Sequence, residues 1–550
     1  MMMTQTDVRS INLPERQLDM WRDDTVFTKN PDLVLLPSGK ILCVFNGCDY
    51  HWPIEFSKIT LIESNDRGRT WGNTRFVAAS YPSRGQEAWI TPRLSRLRDG
   101  RLVINCDQND YRHAHEEQAS GIYTWWSSDG GESWEGPHPT GIPGIEPDHV
   151  VELDDGTLLM GTHFMRGDTQ KLAQAVARST DGGVTWGDLS IIASDNVHEY
   201  CEGGIVPLKS GRLVCIMREN NHINYPSYLS SSDDGGRTWS NPVEAPFSGD
   251  RPFARQFDDG RTLVTFRNQA GKPGLYAWLG DIETEAGYKV TRATTGVSHR
   301  TIMGDHMEEK DHRQRHSEGV TLHADHLAIE ASGDRVNRYM LLPPESHKSR
   351  VTFEATLQVE GAAGVAAAVV QIANIGLLLT IFPDKLVLTG PALKAGVHAV
   401  DMTRKRTVRV TLNRGLTQVF VDGVRVLSRL VHRQAIWDRS YFGNSPDQAG
   451  AVRWFEVRYA VLNPTEPAHA WYWSAGSGAY PNQYEIDRWL EIDYNSNPRP
   501  DHGYSSWLSF ENGDIFVADY SNKTVAPGKA MLKGYWLRLS DFEQATLRSD

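Results

Sequence analysis

The sequence predicts an all-β protein: a six-bladed β-propeller interrupted by an inserted β-sandwich. Three observations predict it. A strand–turn–strand element recurs six times, and a second short motif follows the first four copies in phase. A stretch of about 160 residues lacking either pattern separates the fifth copy from the sixth.

The recurring element reads LVLLPSGKILCVF, LSRLRDGRLVINC, VVELDDGTLLMGT, IVPLKSGRLVCIM, FARQFDDGRTLVTF and SWLSFENGDIFVAD. Each is an apolar strand, a tight turn and a second apolar strand. The turns end on Gly39, Gly100, Gly156, Gly211, Gly260 and Gly513, where a residue free to take positive φ is needed. The second motif reads SNDRGRTW (64–71), SSDGGESW (127–134), STDGGVTW (179–186) and SDDGGRTW (232–239). Its Asp can accept the turn's own amides, its Gly permits positive φ, and its Trp is placed to pack between blades. Only traces recur after the last two hairpins, in AWLGDI (277–282) and WLRLSDF (536–542). In the intervening stretch, RVTFEATLQVEG, LLLTIFPDKLVLTG and the FVDGVRV hairpin alternate apolar and polar residues, the pattern of a sandwich. The polar segment 296–319 reads as a linker. The expected organisation is residues 1–298 as five blades, 312–462 as the sandwich, and 464–550 returning to complete the last blade.

Composition excludes several classes. The chain has 550 residues, 39% hydrophobic and 23% charged, which rules out a disordered chain or a fibre. No apolar run reaches the length of a membrane span. With 57 basic against 69 acidic residues, neither nucleic acid nor an anionic membrane is an expected partner. The N-terminus shows no signal peptide, so a cytoplasmic location is expected. The five cysteines include no CxxC pair and read as buried thiols of a reducing compartment.

Propeller geometry brings the start of each first strand and the end of each second strand to one mouth. Counting nine residues back from each turn glycine gives Asn30, Thr91, Pro147, Glu202, Arg251 and Tyr504; counting seven forward gives Asn46, Asp107, His163, Arg218, Arg267 and Tyr520. A ring of such groups is the expected form of a carbohydrate site. His51, His113, His115, His163, His198 and His222 also fall in loops or strand ends. A His or Tyr beside an Arg could abstract the C5 proton of a uronate, so a lyase is an alternative to a hydrolase. The HxH of His113 and His115 has no partner motif, so no metal and no cofactor are expected.

The four copies of the second motif are Asp-boxes, and on them the chain resembles the sialidase (neuraminidase) superfamily over about 370 residues. The resemblance implies that the inserted sandwich is lectin-like, a jelly roll that binds glycan or acts as a spacer. It also implies roles. Glu202 and Arg218, sixteen residues apart in CEGGIVPLKSGRLVCIMREN, match the Glu and Arg that bracket the fourth hairpin, and Tyr504 in GYSSW matches the nucleophile. A phenol suits a substrate that itself carries a carboxylate, because a carboxylate nucleophile would be repelled. The family's first carboxylate-clamping Arg is replaced by Lys29 in KNPDL, and Lys cannot make the planar bidentate contact. The third clamp falls to Arg251, Arg255 or Arg267, and the general acid to Asp49, with Glu55 behind it. His163 and Asp107 are further candidates for holding substrate. Each has a structural alternative: an ion pair for Glu202 and Arg218, interblade packing for Tyr504, and a turn role for Asp49. The resemblance therefore implies an exo-acting, retaining glycoside hydrolase that removes a terminal acidic sugar, with a uronate lyase or a non-catalytic glycan-binding module as alternatives.

Overall fold

The computed structural model describes residues 9–543 apart from 110–119, 197, 221–225, 269–272, 286–290, 296–318, 331–335, 343, 345–347, 373–376, 391–394, 431–439, 446–449, 465–467, 479, 482–487 and 498. The linker expected over 296–319 lies outside the described residues save for Gly319, and so do His113, His115 and His222. The protein is all-β, and among the described residues its strands are joined by turns and short 3-10 segments.

Each of the six hairpins forms as expected. Their turn glycines all take left-handed backbone, φ between 82° and 92°, and each glycine N–H donates back to the carbonyl three residues earlier, as Gly39 does to Leu36 at 2.9 Å. Every hairpin is the inner half of a four- or five-stranded sheet. The first strands are Phe27–Leu35, Ala88–Arg96, Val150–Glu152, Tyr200–Pro207, Asp250–Gln256 and His502–Ser509. Neighbouring sheets touch through these inner hairpins in chain order, and the sixth sheet touches the first.

Two sheets recruit strands from distant parts of the chain. Gln17–Trp21 pairs antiparallel with Met531–Arg538 in the sixth sheet. Arg9–Ser10 pairs parallel with Trp489–Tyr494, which is itself the fourth strand of the fifth sheet.

The Asp-boxes are self-contained turns. Asp66, Asp129, Asp181 and Asp234 each accept the backbone N–H and the hydroxyl of the Ser or Thr four residues on, as in Thr70 Oγ1 to Asp66 Oδ2 at 2.6 Å. The tryptophan then packs between sheets: Trp71 stacks on Phe516 of the sixth sheet at 5.8 Å, and Trp134 joins the core shared by the first and second.

Residues between the fifth and sixth hairpins build two further sheets of seven and eight strands. Arg350–Glu360 shows the alternation read from the sequence, with Val351, Phe353, Ala355, Leu357 and Val359 buried and the residues between them more exposed. Thr291–Thr295 pairs into the seven-stranded sheet, and His469–Ser474 pairs with Ala451–Leu462 beside the eight-stranded one. One continuous apolar cluster runs from Leu159, Ile205 and Tyr228 into the two sheets. All five cysteines are buried and unpaired.

Candidate active site

The site begins as a backbone irregularity repeated six times. Asn30, Thr91, Glu146, Glu202, Arg251 and Tyr504 all have positive φ, between 44° and 61°. In five of the six sheets the ladder slips at this residue, for example between Gly503–Tyr520 and Ser506–Ala518. Such conformations cost a non-glycine residue roughly 1–3 kcal/mol each, and Thr91 is β-branched besides. The nine-residue count found five of the six. In the third sheet it gave Pro147, and the strained residue is its neighbour Glu146.

Tyr504 is the hub. Its hydroxyl lies 2.7 Å from Glu202 Oε1 and 2.9 Å from Glu146 Oε1, so one phenolic proton is shared between two carboxylates. Arg218 Nη1 donates to the same Glu202 oxygen at 2.6 Å. Asp250 then bridges two arginines, 2.9 Å from Arg218 Nε and 3.1 Å from Arg267 Nε. The guanidiniums of Arg251 and Arg267 sit 5.3 and 5.8 Å from the centre of the Tyr504 ring. Gly503 makes this approach possible, since a Cβ there would come within 2.9 Å of Arg267 Cβ.

Tyr504, Glu202, Glu146, Arg218 and Arg267 line a cavity of about 220 Å³, with Lys29, His51, Trp52 and His163 on its other walls. Lys29 Nζ donates to the His51 carbonyl at 2.6 Å and lies 5.3 Å from the Trp52 ring centre. His163 is buried, and its Nδ1 accepts the Glu202 N–H at 3.2 Å.

Residues 99–272 match the model of the BNR repeat-like domain. The matched stretch covers three of the four Asp-boxes and includes Glu146, Glu202, Arg218, Arg251 and Arg267, and the resemblance read from the Asp-boxes is borne out. No curated protein matches the chain. Among solved structures it is similar to a protein of unknown function from Dyadobacter fermentans, at 19% identity and a TM-score of 0.42, covering 60% of this chain and 94% of that one. It is similar also to a mutant Trypanosoma rangeli sialidase displaying trans-sialidase activity, at 11% identity and a TM-score of 0.38, covering 87% and 98%. A Hadza microbial sialidase matches at 17% identity and 0.38, covering 46% and 56%.

Electrostatics divide the two carboxylates that share the phenol. Burial opposes ionisation of Glu202, but Arg218, Arg267 and Arg251 outweigh it and hold the group at about 2. Glu146 is pushed up, first by burial and then by the Glu202 charge. Burial and both carboxylates drive the Tyr504 phenol well above its ordinary range, so the resting site holds a neutral tyrosine.

The remaining sequence candidates lie as follows. Asp49 is buried and does not line the cavity; its two oxygens accept the N–H groups of Ile54 and Glu55 at 3.0 and 2.9 Å. Glu55 is exposed. Asp107 is fully buried beside Asn109 Nδ2, and burial followed by the Glu146 charge raises it to about 7. Arg251 lies behind the Tyr504 ring and donates to the carbonyls of Glu146 and Pro147. Arg255 lines a different cavity. His198 is tied to Asp195 at 2.9 Å, away from the Tyr504 cavity. Sequence reasoning missed Glu146, the Asp250 bridge between Arg218 and Arg267, and Trp52 on the cavity wall; for Glu146 an acid beside the counted position in GIEPDHV was the available signal. Among the described residues no cluster of His, Cys, Asp and Glu is suited to hold a metal.

Proposed function

We propose that the six cyclically touching sheets are the blades of a propeller and that the Tyr504 cavity is the active site of a retaining, sialidase-like glycoside hydrolase. The observation that carries the reading is the Tyr504 hydroxyl held at hydrogen-bond distance from Glu202 and Glu146 inside a cavity. A buried phenol is a poor nucleophile until it loses its proton, and a carboxylate within 3 Å is the acceptor that loss requires.

In the first step the Tyr504 oxygen bonds to the anomeric carbon, the bond to the leaving oxygen breaks, and the phenolic proton passes to the neighbouring carboxylate. Water then displaces the tyrosine, giving net retention. Lys29, Arg218 and Arg267 line the cavity and favour a terminal sugar that carries a carboxylate. Trp52, 47% exposed at the rim, offers an apolar face for a sugar ring. The same reading treats the seven- and eight-stranded sheets, with Thr291–Thr295 and His469–Ser474, as the inserted lectin-like domain.

The test is product analysis on sialyl, ulosonyl and uronyl glycosides. Free saturated sugar of unchanged anomeric configuration by NMR is expected, and Glu202→Gln should abolish its release. An unsaturated uronate product would indicate the lyase, and tight binding with no product a glycan-binding module.

A further inference from the structure

The Tyr504 reading leaves open which group protonates the leaving oxygen. Resting on that reading, we infer that His51, oriented by Asp501, is the general acid–base of the site. Sequence position favoured Asp49, but both of its oxygens are engaged by backbone amides of the loop it begins, and it has no face on the cavity. His51, two residues on, lines that cavity together with Tyr504 and Glu202.

The imidazole is held as a proton-transfer group must be. Its Nδ1 lies 2.8 Å from Asp501 Oδ2, and the other oxygen of Asp501 accepts the Tyr520 hydroxyl at 2.7 Å. Asp501 is fixed in turn through its own N–H, which donates to Asn522 Oδ1 at 3.0 Å. Burial opposes the Asp501 charge, but the bond to His51, the Tyr520 hydroxyl and the Arg267 charge bring it down to about 2, so it remains a carboxylate. A carboxylate on Nδ1 keeps the proton there in the neutral ring and leaves Nε2 as the nitrogen that exchanges with substrate. Edge contacts to Phe27 and Trp52, at 5.5 and 5.2 Å, fix the ring plane, and Lys29 holds the His51 carbonyl. The side chain is 36% exposed, so a leaving group can reach it.

The steps balance. The first step starts from the imidazolium, protonated on both nitrogens. As Tyr504 bonds to the anomeric carbon, the departing oxygen keeps the electron pair of the broken bond and takes the Nε2 proton, leaving the neutral ring protonated on Nδ1; the phenolic proton rests on the Glu202–Glu146 pair. In the second step neutral Nε2 takes a proton from the attacking water, the bond to tyrosine breaks, and the phenolate recovers its proton. His51 is then the catalytic residue and Asp501 the positioning residue.

The experiment compares leaving groups. The 4-nitrophenyl and methyl glycosides of N-acetylneuraminic acid, 3-deoxy-octulosonic acid and glucuronic acid are assayed with the full-length protein, each variant being checked for folding by its thermal melt. A nitrophenolate departs without help, whereas methoxide needs a proton. His51→Ala, with His51→Gln as its second form, is expected to lose about 10³-fold on the methyl glycoside and less than about tenfold on the aryl one. Azide should restore the aryl reaction and yield the glycosyl azide of retained configuration. Asp501→Asn should show the same split at roughly 10- to 100-fold, a pattern that a merely structural defect would not give. Equal losses on both leaving groups, absence of azide product, or the split appearing in Asp49→Asn instead would overturn the assignment. Turnover by Tyr504→Phe, or no cleavage of any glycoside by the wild type, would instead bring down the reading on which it rests.

Discussion

The six first strands frame a cavity at each of their ends, and the two differ. At the Tyr504 end the space is about 220 Å³. At the other, beyond residues such as Leu35, Arg96, Glu152, Pro207, Gln256 and Ser509, it is about 560 Å³. The larger cavity has the weaker claim to chemistry. Its buried carboxylates are matched: His149 sits between Asp32 at 2.7 Å and Asp148 at 3.2 Å, and those aspartates also accept the backbone N–H groups of Leu33, Leu94 and Ile205. All six strained strand openers lie at the smaller end, where two carboxylates compete for one proton. Volume reports how far the sheets splay apart. Strain and converging charge report where the fold sacrifices stability, and that is where function is expected.

Substitutions can break this contrast. The largest effect is expected from Tyr504→Phe, with turnover falling by about three orders of magnitude or more while the melting transition stays close to wild type. An active Tyr504→Phe protein would remove the distinction altogether. At the opposite end His149→Ala should do the reverse, costing about 3–5 kcal/mol of stability by stranding buried Asp32 while changing kcat little. Burial lowers the basicity of His149, but the Asp32 and Asp148 carboxylates outweigh it and the net direction is upward. Its stabilising contribution is therefore complete below the ordinary imidazole value and lost as pH rises through the elevated one. The deficit measured by denaturant melts should be larger at pH 6 than at pH 9.

A smaller effect sharpens the picture at the Tyr504 end. Asp107 is raised to about 7, so its burial costs stability that accumulates as pH climbs from the ordinary carboxylate range toward 7. Asp107→Asn should accordingly gain about 3 kcal/mol over wild type at pH 8 relative to the same comparison at pH 4. The smallest is a matched pair of glycines. Gly39→Ala meets no atom within 4 Å and should cost only the left-handed backbone, about 1 kcal/mol, with normal turnover. Gly503→Ala should reduce turnover as well, because its Cβ meets Arg267.

What the sequence made legible was local. The turn glycines and the Asp-boxes carry their own hydrogen bonds within a few residues, so their chemistry is written in short strings. The constant distance from turn to strand opener exposed Asn30, Thr91, Glu202, Arg251 and Tyr504 for the same reason. Glu146 escaped because the third sheet's first strand is short, Val150–Glu152, and the chain enters it with a different offset. The His51–Asp501 contact joins residues 450 positions apart, and no spacing rule reaches that far. Asp49 attracted a catalytic reading by position alone, whereas an Asp opening a loop commonly binds the loop's own amides, as this one does. The pairing of His469–Ser474 with Ala451–Leu462 was equally hidden, since an alternating strand does not name its neighbour.

The recruitment of Arg9–Ser10 and Gln17–Trp21 by strands from the far end of the chain bears on how the protein is made. Translation delivers the first strands long before their partners, Trp489–Tyr494 and Met531–Arg538, leave the ribosome. At about 5–20 residues per second the nascent chain spends roughly half a minute or more with open sheet edges. During that interval the seven- and eight-stranded sheets can complete their own pairing, while the fifth and sixth sheets await their last strands. Sheet edges that stay open until the last strands arrive are, for that interval, templates for edge-to-edge association between chains.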